Sequence, residues 1–376
     1  MSIIIGADIV PTKENEYFFR EGEVLSLVGN EIKKILNDAD YRVFNLESPL
    51  IDEASPIEKF GPALRADVST VNGLKKMGVD LVTLANNHIM DQGIEGLAST
   101  IKTLDGNKID HLGAGANLSQ AQKPFVVNVR GKEIGFYACA EHEFSIAGGK
   151  KSGANPFDAL ESFDHVADLR KKCDFVVVLY HGGKEHYRYP SPMLQRVCRK
   201  FVEKGANLII CQHSHCIGCM EKYDGGTIVY GQGNFIFSEC DGPTEQTSIL
   251  VKLTDNLNVE YIPLAKTERG VQLAMGDLSK AILIDFNERS ENIKQLGFIE
   301  NEYRLFASKM LDNYILTCSG YAHKYLLRVL NKLTAYRLNK LFMSFFKRKE
   351  FLAIQNYIEC EAHRELWLEG LKNIHR

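Results

Sequence analysis

Apolar runs and segments of helical apolar spacing alternate along the chain from residue 3 to about residue 235. The short runs, rich in β-branched residues, predict buried strands at residues 3–5, 41–44, 80–84, 175–180, 208–210 and 227–230. Apolar residues three and four positions apart predict helices at residues 24–36, 66–77, 92–104, 157–171 and 192–204. This alternation is typical of an α/β protein whose helices cover a largely parallel sheet.

Two segments and the C-terminal part depart from that alternation. Residues 125–140 and 248–263 each show two apolar runs around a turn, which predicts β-hairpins. Beyond about residue 285, Leu, Lys, Arg, Phe and Tyr recur at helical spacing, and no proline follows Pro263. We therefore predict an α/β domain over residues 1–284 and a helical region over residues 285–376.

For the basic stretch at residues 345–349, a solvated helix end is favoured over an anionic partner.

Composition and charge narrow the class of protein. Of the 376 residues, 45% are hydrophobic and 25% charged, as in an ordinary globular protein, and the net charge of −3 predicts no nucleic-acid partner. Nine cysteines without regular spacing favour reduced thiols. The start MSIIIGADIV has neither the basic nor the long apolar part of a signal peptide, and no apolar run approaches a membrane span. These features predict a cytoplasmic protein without a membrane span.

Polar side chains with metal-binding atoms follow one predicted strand after another. They are Asp8, Asn45, Glu47, Asn86, Asn87, His88, His181, His213 and His215. Because parallel strands share one carboxyl edge, where ligands collect, we expect these side chains to converge. Carboxylates, imidazoles and an amide suit Mn²⁺, Fe²⁺ or Zn²⁺, and two such ions roughly 3.5–4 Å apart suit an in-line phosphoryl displacement.

The segment from Cys211 to Cys219 allows two interpretations. If the chain is extended there, His213 and His215 are alternate residues that can both reach the strand-end site. Alternatively, Cys211, Cys216 and Cys219 could hold a structural zinc together with these histidines. Buried thiols that act as small apolar side chains are the commoner case.

Four strings of the sequence carry a resemblance to a known family. They are NLESPL from Asn45, LANNHIMDQGIEGL from Leu84, GAGANLSQAQKP from Gly113 and GQGNFIFS from Gly231. Together with Gly6 and Asp8, which Ala7 separates, they resemble the CapA family of capsule and poly-γ-glutamate synthesis proteins over about residues 3 to 265. The family is similar in fold to calcineurin-like metallophosphoesterases, so the resemblance implies a four-layered α/β/β/α sandwich, here with a helical C-terminal extension.

The resemblance also implies roles for individual residues. One or two divalent ions (Mn, Fe or Zn) would be held by Asp8, Glu47, Asn87, His181, His213 and His215. Of these, Asp8, Glu47 and His215 would hold the first ion, and Glu47 would bridge to the second. His88 would act as the general acid. Arg65 is the candidate for binding an anionic substrate group, because a guanidinium matches phosphate or carboxylate oxygens, and a surface arginine without that role is the equally supported alternative. Val10 stands where metallophosphoesterases have the histidine of Asp-x-His, so the first ion has one ligand fewer.

Two functions from different classes follow from the resemblance. The first is a metal-dependent phosphoesterase-like enzyme, a hydrolase or transferase, acting on an anionic small molecule or polymer intermediate of surface-polymer biosynthesis. The second is a non-catalytic, metal-stabilised assembly or regulatory component that works with surface-polymer synthesis proteins, because a fold does not by itself establish catalysis. Presence of His88 favours the enzyme, whereas Val10 favours the second function.

Overall fold

The computed structural model describes residues 1–237, 242–321, 325–334 and 336–373, and the side chains of residues 325–328 and 373 lie outside this description. Sixteen strands occur in the described part: β1 Ile3–Ile9, β2 Tyr41–Leu46, β3 Leu81–Thr83, β4 Asp110–Leu112, β5 Ala114–Gly115, β6 Phe125–Val129, β7 Lys132–Ala140, β8 Gly153–Ala154, β9 Phe175–His181, β10 Leu208–Gln212, β11 Met220–Tyr223, β12 Gly226–Val229, β13 Asn234–Ile236, β14 Thr247–Leu253, β15 Val259–Lys266 and β16 Val271–Leu273. Both predicted hairpins are confirmed, as β6–β7 and β14–β15.

Thirteen α-helices occur in the same residues: α1 Glu16–Glu21, α2 Val24–Asp38, α3 Val71–Met77, α4 Gly93–Gly106, α5 Leu118–Ala121, α6 Ser162–Arg170, α7 Pro192–Glu203, α8 Gly276–Asn292, α9 Phe298–Cys318, α10 Tyr325–Leu333, α11 Arg337–Met343, α12 Arg348–Glu359 and α13 Glu361–Asn373. The five predicted helices correspond to α2, α3, α4, α6 and α7. Sequence periodicity missed the short α1 and α5, because a helix of one or two turns shows too little of its period.

The strands form two large sheets. The first has the order β16-β15-β14-β1-β2-β3-β4, with β13 also paired to β1, and β1 to β4 are parallel neighbours. The second has the order β11-β12-β10-β9-β7-β6, in which β12, β10, β9 and β7 run parallel. A hydrogen bond joins the two sheets: the Gln212 side chain at the end of β10 donates to the Gly6 carbonyl of β1 at 3.0 Å.

Successive side chains along the strands of the second sheet point alternately to its two faces, and the partners that they contact define the layers of the protein. Phe136 and Val177 belong to the core shared with the first sheet. Their strand neighbours Tyr137 and Val178 face the opposite way and pack with α6 and α7. Since successive strand residues point to opposite faces, each sheet is covered by its partner sheet on one side and helices on the other. The predicted four-layered α/β/β/α sandwich is thereby confirmed.

Helix α7 shows how the sequence specifies one of these outer elements. The Ser191 side chain caps its first turn by accepting from the Leu194 amide at 3.0 Å, and Pro192 fits the first turn, where no amide donor is needed. Gly205 follows the helix with φ of 106°, a conformation that glycine adopts without strain. Between these ends, Phe201 lies fully buried among aromatic rings, so Phe201→Ala would cost about 3–5 kcal/mol.

The predicted helical C-terminal extension is confirmed, because only helices follow β16 in the described residues. The chain divides into two compact units, Met1–Glu300 and Asn301–Arg376. Position 285 lies within α8, and the next residue, Phe286, is buried against the Tyr261 ring. The domain boundary between residues 284 and 285 stays a prediction. Within the described part of the chain, no helix combines the length and apolarity needed to cross a membrane.

Candidate metal centre

Asp8 reaches the carboxyl edge of the first sheet through a bulge in β1. Ile5 pairs with Val43 and Asp8 with Asn45, so three steps along β1 match two along β2. This bulge accommodates the residue inserted between Gly6 and Asp8, and bulges commonly redirect side chains beside functional sites. Asp8 accepts from the Asn45 side-chain amide at 2.7 Å through Oδ1.

Glu47 is the most deeply buried acid of the site. It follows β2 directly, its amide donates to the Ile9 carbonyl at 3.1 Å, and its exposed fraction is 0%. Neither carboxylate oxygen has a hydrogen bond among the described residues. Burial, followed by the nearby Asp8 charge, raises the pKa of Glu47 to about 8. A carboxylate that is buried here without hydrogen bonds destabilises the folded protein unless a cation lies beside it.

His181, the last residue of β9, joins the two sheets. Its Nε2 lies 2.9 Å from Asn87 Oδ1 and 3.2 Å from Glu47 Oε1, and Asn45 Nδ2 lies 3.4 Å from its Nδ1. Burial lowers the pKa of His181 to about 4. The imidazole is therefore held neutral, which is the form that binds metal ions.

His213 and His215 enter the site from a turn, and the expected extended segment is wrong. Their φ angles are 93° and 54°, in the left-handed region that non-glycine residues rarely adopt. Backbone strain of this kind concentrates at functional sites. The turn places both rings in the site: the His213 ring centroid lies 4.8 Å from that of His181, and His215 Nδ1 lies 3.8 Å from Asp8 Oδ2.

The two histidines differ in electrostatics. Burial, followed by the neighbouring His181, lowers the pKa of His213, and its Nδ1 lacks a hydrogen bond within the described structure. Burial also disfavours charge on His215, but the carboxylates of Glu47 and Asp8 outweigh it and raise the pKa of His215. His215 Nδ1 lies 2.8 Å from Asn234 Oδ1, a contact that fixes the ring.

These residues fit a divalent cation. One ligand atom each from Glu47, His213 and His215 lies within 4.8 Å of the others. Asp8 Oδ2, both Glu47 carboxylate oxygens and His213 Nδ1 are buried without hydrogen bonds among the described residues. Buried polar atoms without partners are rare in folded proteins, and a bound cation would satisfy all four. We call the six side chains Asp8, Glu47, Asn87, His181, His213 and His215 the strand-end cluster.

His88 lies beside this cluster and belongs to a network of its own. Its Nδ1 is 2.6 Å from Asp91 Oδ2, while Lys59 Nζ donates to Asp91 Oδ1 at 2.5 Å. The Leu64 amide also donates to Asp91. An ionised carboxylate only accepts, so this network assigns the hydrogen to Nδ1 of His88 and leaves Nε2 for proton exchange.

Arg65 is not joined to the strand-end cluster by any contact within the described residues. Its side chain is exposed, and its guanidinium donates to the main-chain carbonyls of Ile51 and Asp52. The structure thus places Arg65 in the loop after β2, held by backbone acceptors. Its role as an anion-binding residue stays a prediction.

The cysteines near the histidine pair lie apart from the cluster. Cys211 and Cys219 belong to the apolar core beneath α6 and α7, and the Cys211 sulfur is 3.6 Å from that of Cys198. Burial raises the pKa of both Cys216 and Cys219, which keeps them protonated. The group of potential metal ligands found among the described residues contains no thiol, so the geometry does not support the alternative zinc site.

Sequence reasoning missed Lys59 and assigned no role to Asp91 or Asn86. Asn86 bridges two strand ends, because its amide donates to the Asn45 side chain at 3.0 Å and to the Leu46 carbonyl at 2.9 Å. The signal for Asp91 was its position three residues after His88, a spacing at which side chains meet. Lys59 gave no signal, because it lies in an irregular loop and approaches only through the tertiary fold.

Comparison with known sequences identifies the family. The sequence model described as "Bacterial capsule synthesis protein PGA_cap" matches residues 5–239, more than half of the chain. The chain belongs to this family. Membership confirms the CapA-family prediction, and the matched region contains all six members of the strand-end cluster together with His88.

Curated relatives within the family are similar over part of their length. "Capsule biosynthesis protein CapA" of Bacillus anthracis is 29% identical over 259 residues, which cover 66% of this chain and 61% of that protein. "PGA biosynthesis protein CapA" of Bacillus subtilis (strain 168) is 29% identical over 213 residues, covering 55% and 56%. The chain therefore spans about three fifths of the length of these PGA_cap relatives.

Among solved structures, a novel phosphatase of Mycoplasma pneumoniae overlaps with a TM-score of 0.44 and 17% identity. The overlap covers 70% of this chain and 93% of that one.

Proposed function

We propose that this PGA_cap family member is a metal-dependent phosphoesterase-type enzyme, a hydrolase or transferase, in capsule, poly-γ-glutamate or other surface-polymer biosynthesis. The substrate is an anionic small molecule or polymer intermediate. The names of the two Bacillus relatives, for capsule and PGA biosynthesis, support the pathway.

One observation carries this proposal. Asp8 and Glu47 bury three carboxylate oxygens without hydrogen bonds, next to an imidazole nitrogen of His213 in the same state. A fold tolerates such desolvated acids where a cation compensates them. The mixture of carboxylate, imidazole and amide suits Mn²⁺, Fe²⁺ or Zn²⁺, and one or two ions would be held by the six side chains of the strand-end cluster.

The roles of the side chains follow from their environments. A bound divalent ion supplies charge neutralisation for a phosphoryl group and makes hydroxide available near neutral pH. His88 transfers a proton to the leaving oxygen from Nε2, since Asp91 retains the hydrogen on Nδ1. Lys59 holds Asp91 in place. Arg65 binds an anionic substrate group after leaving its backbone acceptors.

The compartment proposed is the cytoplasm. None of the eight described cysteines forms a disulfide, and six of them are buried. Unpaired thiols in this number support a reducing environment.

The test measures metal binding and phosphoester turnover separately. The wild type is assayed for metal content, melting temperature and Mn²⁺-dependent hydrolysis of p-nitrophenyl phosphate and its diester. His88→Asn is expected to keep metal content and melting temperature while turnover falls about 10²–10⁴-fold. His111→Asn, at the far-edge strand β4, is the matched control and should retain activity. Metal-free wild-type protein, or His88→Asn with wild-type turnover, contradicts the proposal.

The alternative, a non-catalytic metal-stabilised component of a synthase, is favoured by Val10. This side chain is 2% exposed, and its amide donates to the Ile236 carbonyl at 2.8 Å. An apolar residue thus occupies the position of the Asp-x-His histidine. If the wild type binds metal with a clear gain in melting temperature yet hydrolyses no phosphoester, the alternative replaces the enzyme.

A further inference from the structure

The C-terminal unit contains a long segment without any acidic residue. Between Asp312 and Glu350 the sequence has no aspartate or glutamate, but eight lysines and arginines. The whole chain has a formal net charge of −3, so this concentration of positive charge is local. We call residues 329–349, which hold six of these eight lysines and arginines, the basic segment. Charge alone favours a solvated surface here, so a partner has to be argued from what accompanies the charge.

The basic segment also exposes large apolar side chains. Within its described part, six such side chains are between 37% and 77% exposed: Val329, Leu330, Leu333, Tyr336, Leu341 and Phe345. They lie on α10, on α11 and in the adjoining turns. Exposed cations occur among them along the same stretch: Lys332, Arg337, Lys340, Lys347, Arg348 and Lys349. Apolar and cationic side chains are therefore presented together.

Contacts within the segment fix part of this surface. Asn331 Nδ2 donates to Asn339 Oδ1 at 2.5 Å, and the Asn339 amide donates back to Asn331 Oδ1 at 3.3 Å. Asn331 is buried, and this reciprocal pair joins α10 to α11. The two short helices thus present their exposed side chains from a defined arrangement.

Three exposed lysines elsewhere in the chain have a different environment. Lys280, Lys294 and Lys372 each lie within 4 Å of a carboxylate three residues earlier, at 3.4, 2.5 and 3.9 Å. The basic segment contains no carboxylate that could play this part. Glu350, which follows the segment, accepts from the main-chain amide of Lys347 at 2.8 Å, so one acid borders six basic side chains and an excess of positive charge is available to an external anion.

We propose that the basic segment docks on an anionic lipid surface, with its apolar side chains entering the headgroup region and its cations contacting lipid phosphates. Short amphipathic helices bind such interfaces through buried apolar area and attraction to anionic lipids together. A nucleic acid would engage the cations but leave the apolar side chains in water. A second copy of the chain would bring two positively charged segments against each other. This docking is independent of the phosphoesterase proposal.

The experiment uses the full-length chain and sedimentation with vesicles of phosphatidylcholine, alone or mixed with phosphatidylglycerol. Binding is expected only to the mixed vesicles and should decline as salt is raised. Triple charge reversal (Lys347→Glu, Arg348→Glu, Lys349→Glu) should weaken it by about 100-fold or more. A matched reversal in the first unit (Lys171→Glu, Lys280→Glu, Lys294→Glu) should change it by less than about threefold, because these lysines lie outside the proposed surface.

A second pair of changes tests the apolar contribution. Leu341→Ser with Phe345→Ser should weaken vesicle binding about tenfold or more without altering charge. Melting temperature and metal content should match those of the wild type in every variant. Absence of binding to the mixed vesicles overturns the proposal, as does equal loss in both triple variants. If the serine variant binds the mixed vesicles as tightly as the wild type does, and the wild type binds duplex DNA as tightly as it binds the vesicles, the partner is a nucleic acid. A change in oligomeric state caused by that variant, without lipid binding by the wild type, would indicate a second copy.

Discussion

Two groups of buried side chains flank the end of β10, and both contain atoms that bind metals. The strand-end cluster contributes His213, and the thiol cluster, defined as Cys139, Cys198 and Cys211, lies on the other face of the sheet. Cys211 and His213 are only two residues apart in the sequence. Cys139 and Cys211 are each paired with Tyr180 of β9, and Cys198 reaches them from α7.

The two groups differ in how their polar atoms are compensated. Burial raises the pKa of Cys139 and Cys198, so each remains a neutral, small apolar side chain within packed aromatic rings. The acids Asp8 and Glu47 are equally buried, yet three of their oxygens lack hydrogen bonds among the described residues. The comparison teaches that burial alone does not mark a site. The marker is a buried ionisable group whose polar atoms the described residues leave without partners.

The largest effect is expected on metal content, which should depend on the strand-end cluster and not on the thiol cluster. His213→Gly, in which glycine accepts the positive φ of this position, should reduce bound metal from one or two ions to less than half of the wild-type stoichiometry. Serine at Cys211, Cys216 and Cys219 together should leave metal content unchanged. Elemental analysis of both proteins decides between them, and loss of metal in the serine variant alone would restore the zinc interpretation.

The next effect concerns a buried charge that is compensated. Lys59 and Asp91 form an ion pair with side-chain exposures of 4% and 0%. Lys59→Met should destabilise the protein by about 3–5 kcal/mol, because it leaves the Asp91 carboxylate without its cation. Chemical denaturation measures this loss. The double variant Lys59→Met, Asp91→Leu should recover most of it, and an equally unstable double variant would show that packing rather than charge is responsible.

A smaller effect of opposite sign is expected at Glu47. The pKa of Glu47 is raised to about 8, so at neutral pH this carboxyl, which is ionised in the unfolded chain, must take up a proton on folding. Glu47→Gln removes that cost, and at neutral pH the metal-free protein should gain about 1–3 kcal/mol in free energy of unfolding. The same variant should lose the stabilisation that added Mn²⁺ gives the wild type. Thermal unfolding with chelator and with Mn²⁺ measures both. As control, Glu31→Gln changes an exposed acid of α2 and should alter neither; a Glu47→Gln protein stabilised by Mn²⁺ like the wild type would contradict the metal assignment.

The smallest effect is expected in the thiol cluster. Cys211→Val exchanges one small apolar side chain for another of similar volume, so the free energy of unfolding should change by less than about 1.5 kcal/mol. Metal content and any hydrolytic turnover should be unaffected. Parallel denaturation and elemental analysis test this. Loss of metal or a much larger destabilisation would mean that the thiol has a role beyond packing.

Much of the fold followed from local sequence pattern. The strands at residues 175–180 and 208–210 were predicted from continuous apolar runs, because strands covered on both faces have no polar alternation. The ends of these strands located His181 and the His213 turn. By contrast, β5, β8 and β13 are two or three residues long, and their pairing depends on partners distant in the sequence. No local period could reveal them.

The candidate site was predicted as a set of residues but not as a geometry. Spacing and motifs identified the six candidate ligands and His88. The bulge that turns Asp8 into the site and the left-handed conformations of His213 and His215 were not predicted, since both depend on contacts across the two sheets. Arg65 illustrates the limit: a guanidinium beside a motif was assigned to substrate, whereas its present partners are backbone carbonyls.

The sequence by itself determined the layered α/β architecture, the family and the identity of the side chains at the strand ends, because apolar period and motif order are local properties of the chain. Only the tertiary structure decided which of those atoms are left without partners and that Lys59 supports His88 through Asp91. It also separated Cys211 from His213. The physical reason is that desolvation and charge compensation depend on every neighbour within a few ångströms, and the two sheets bring together neighbours that lie up to about two hundred residues apart in the sequence, as with Asp8 and His215.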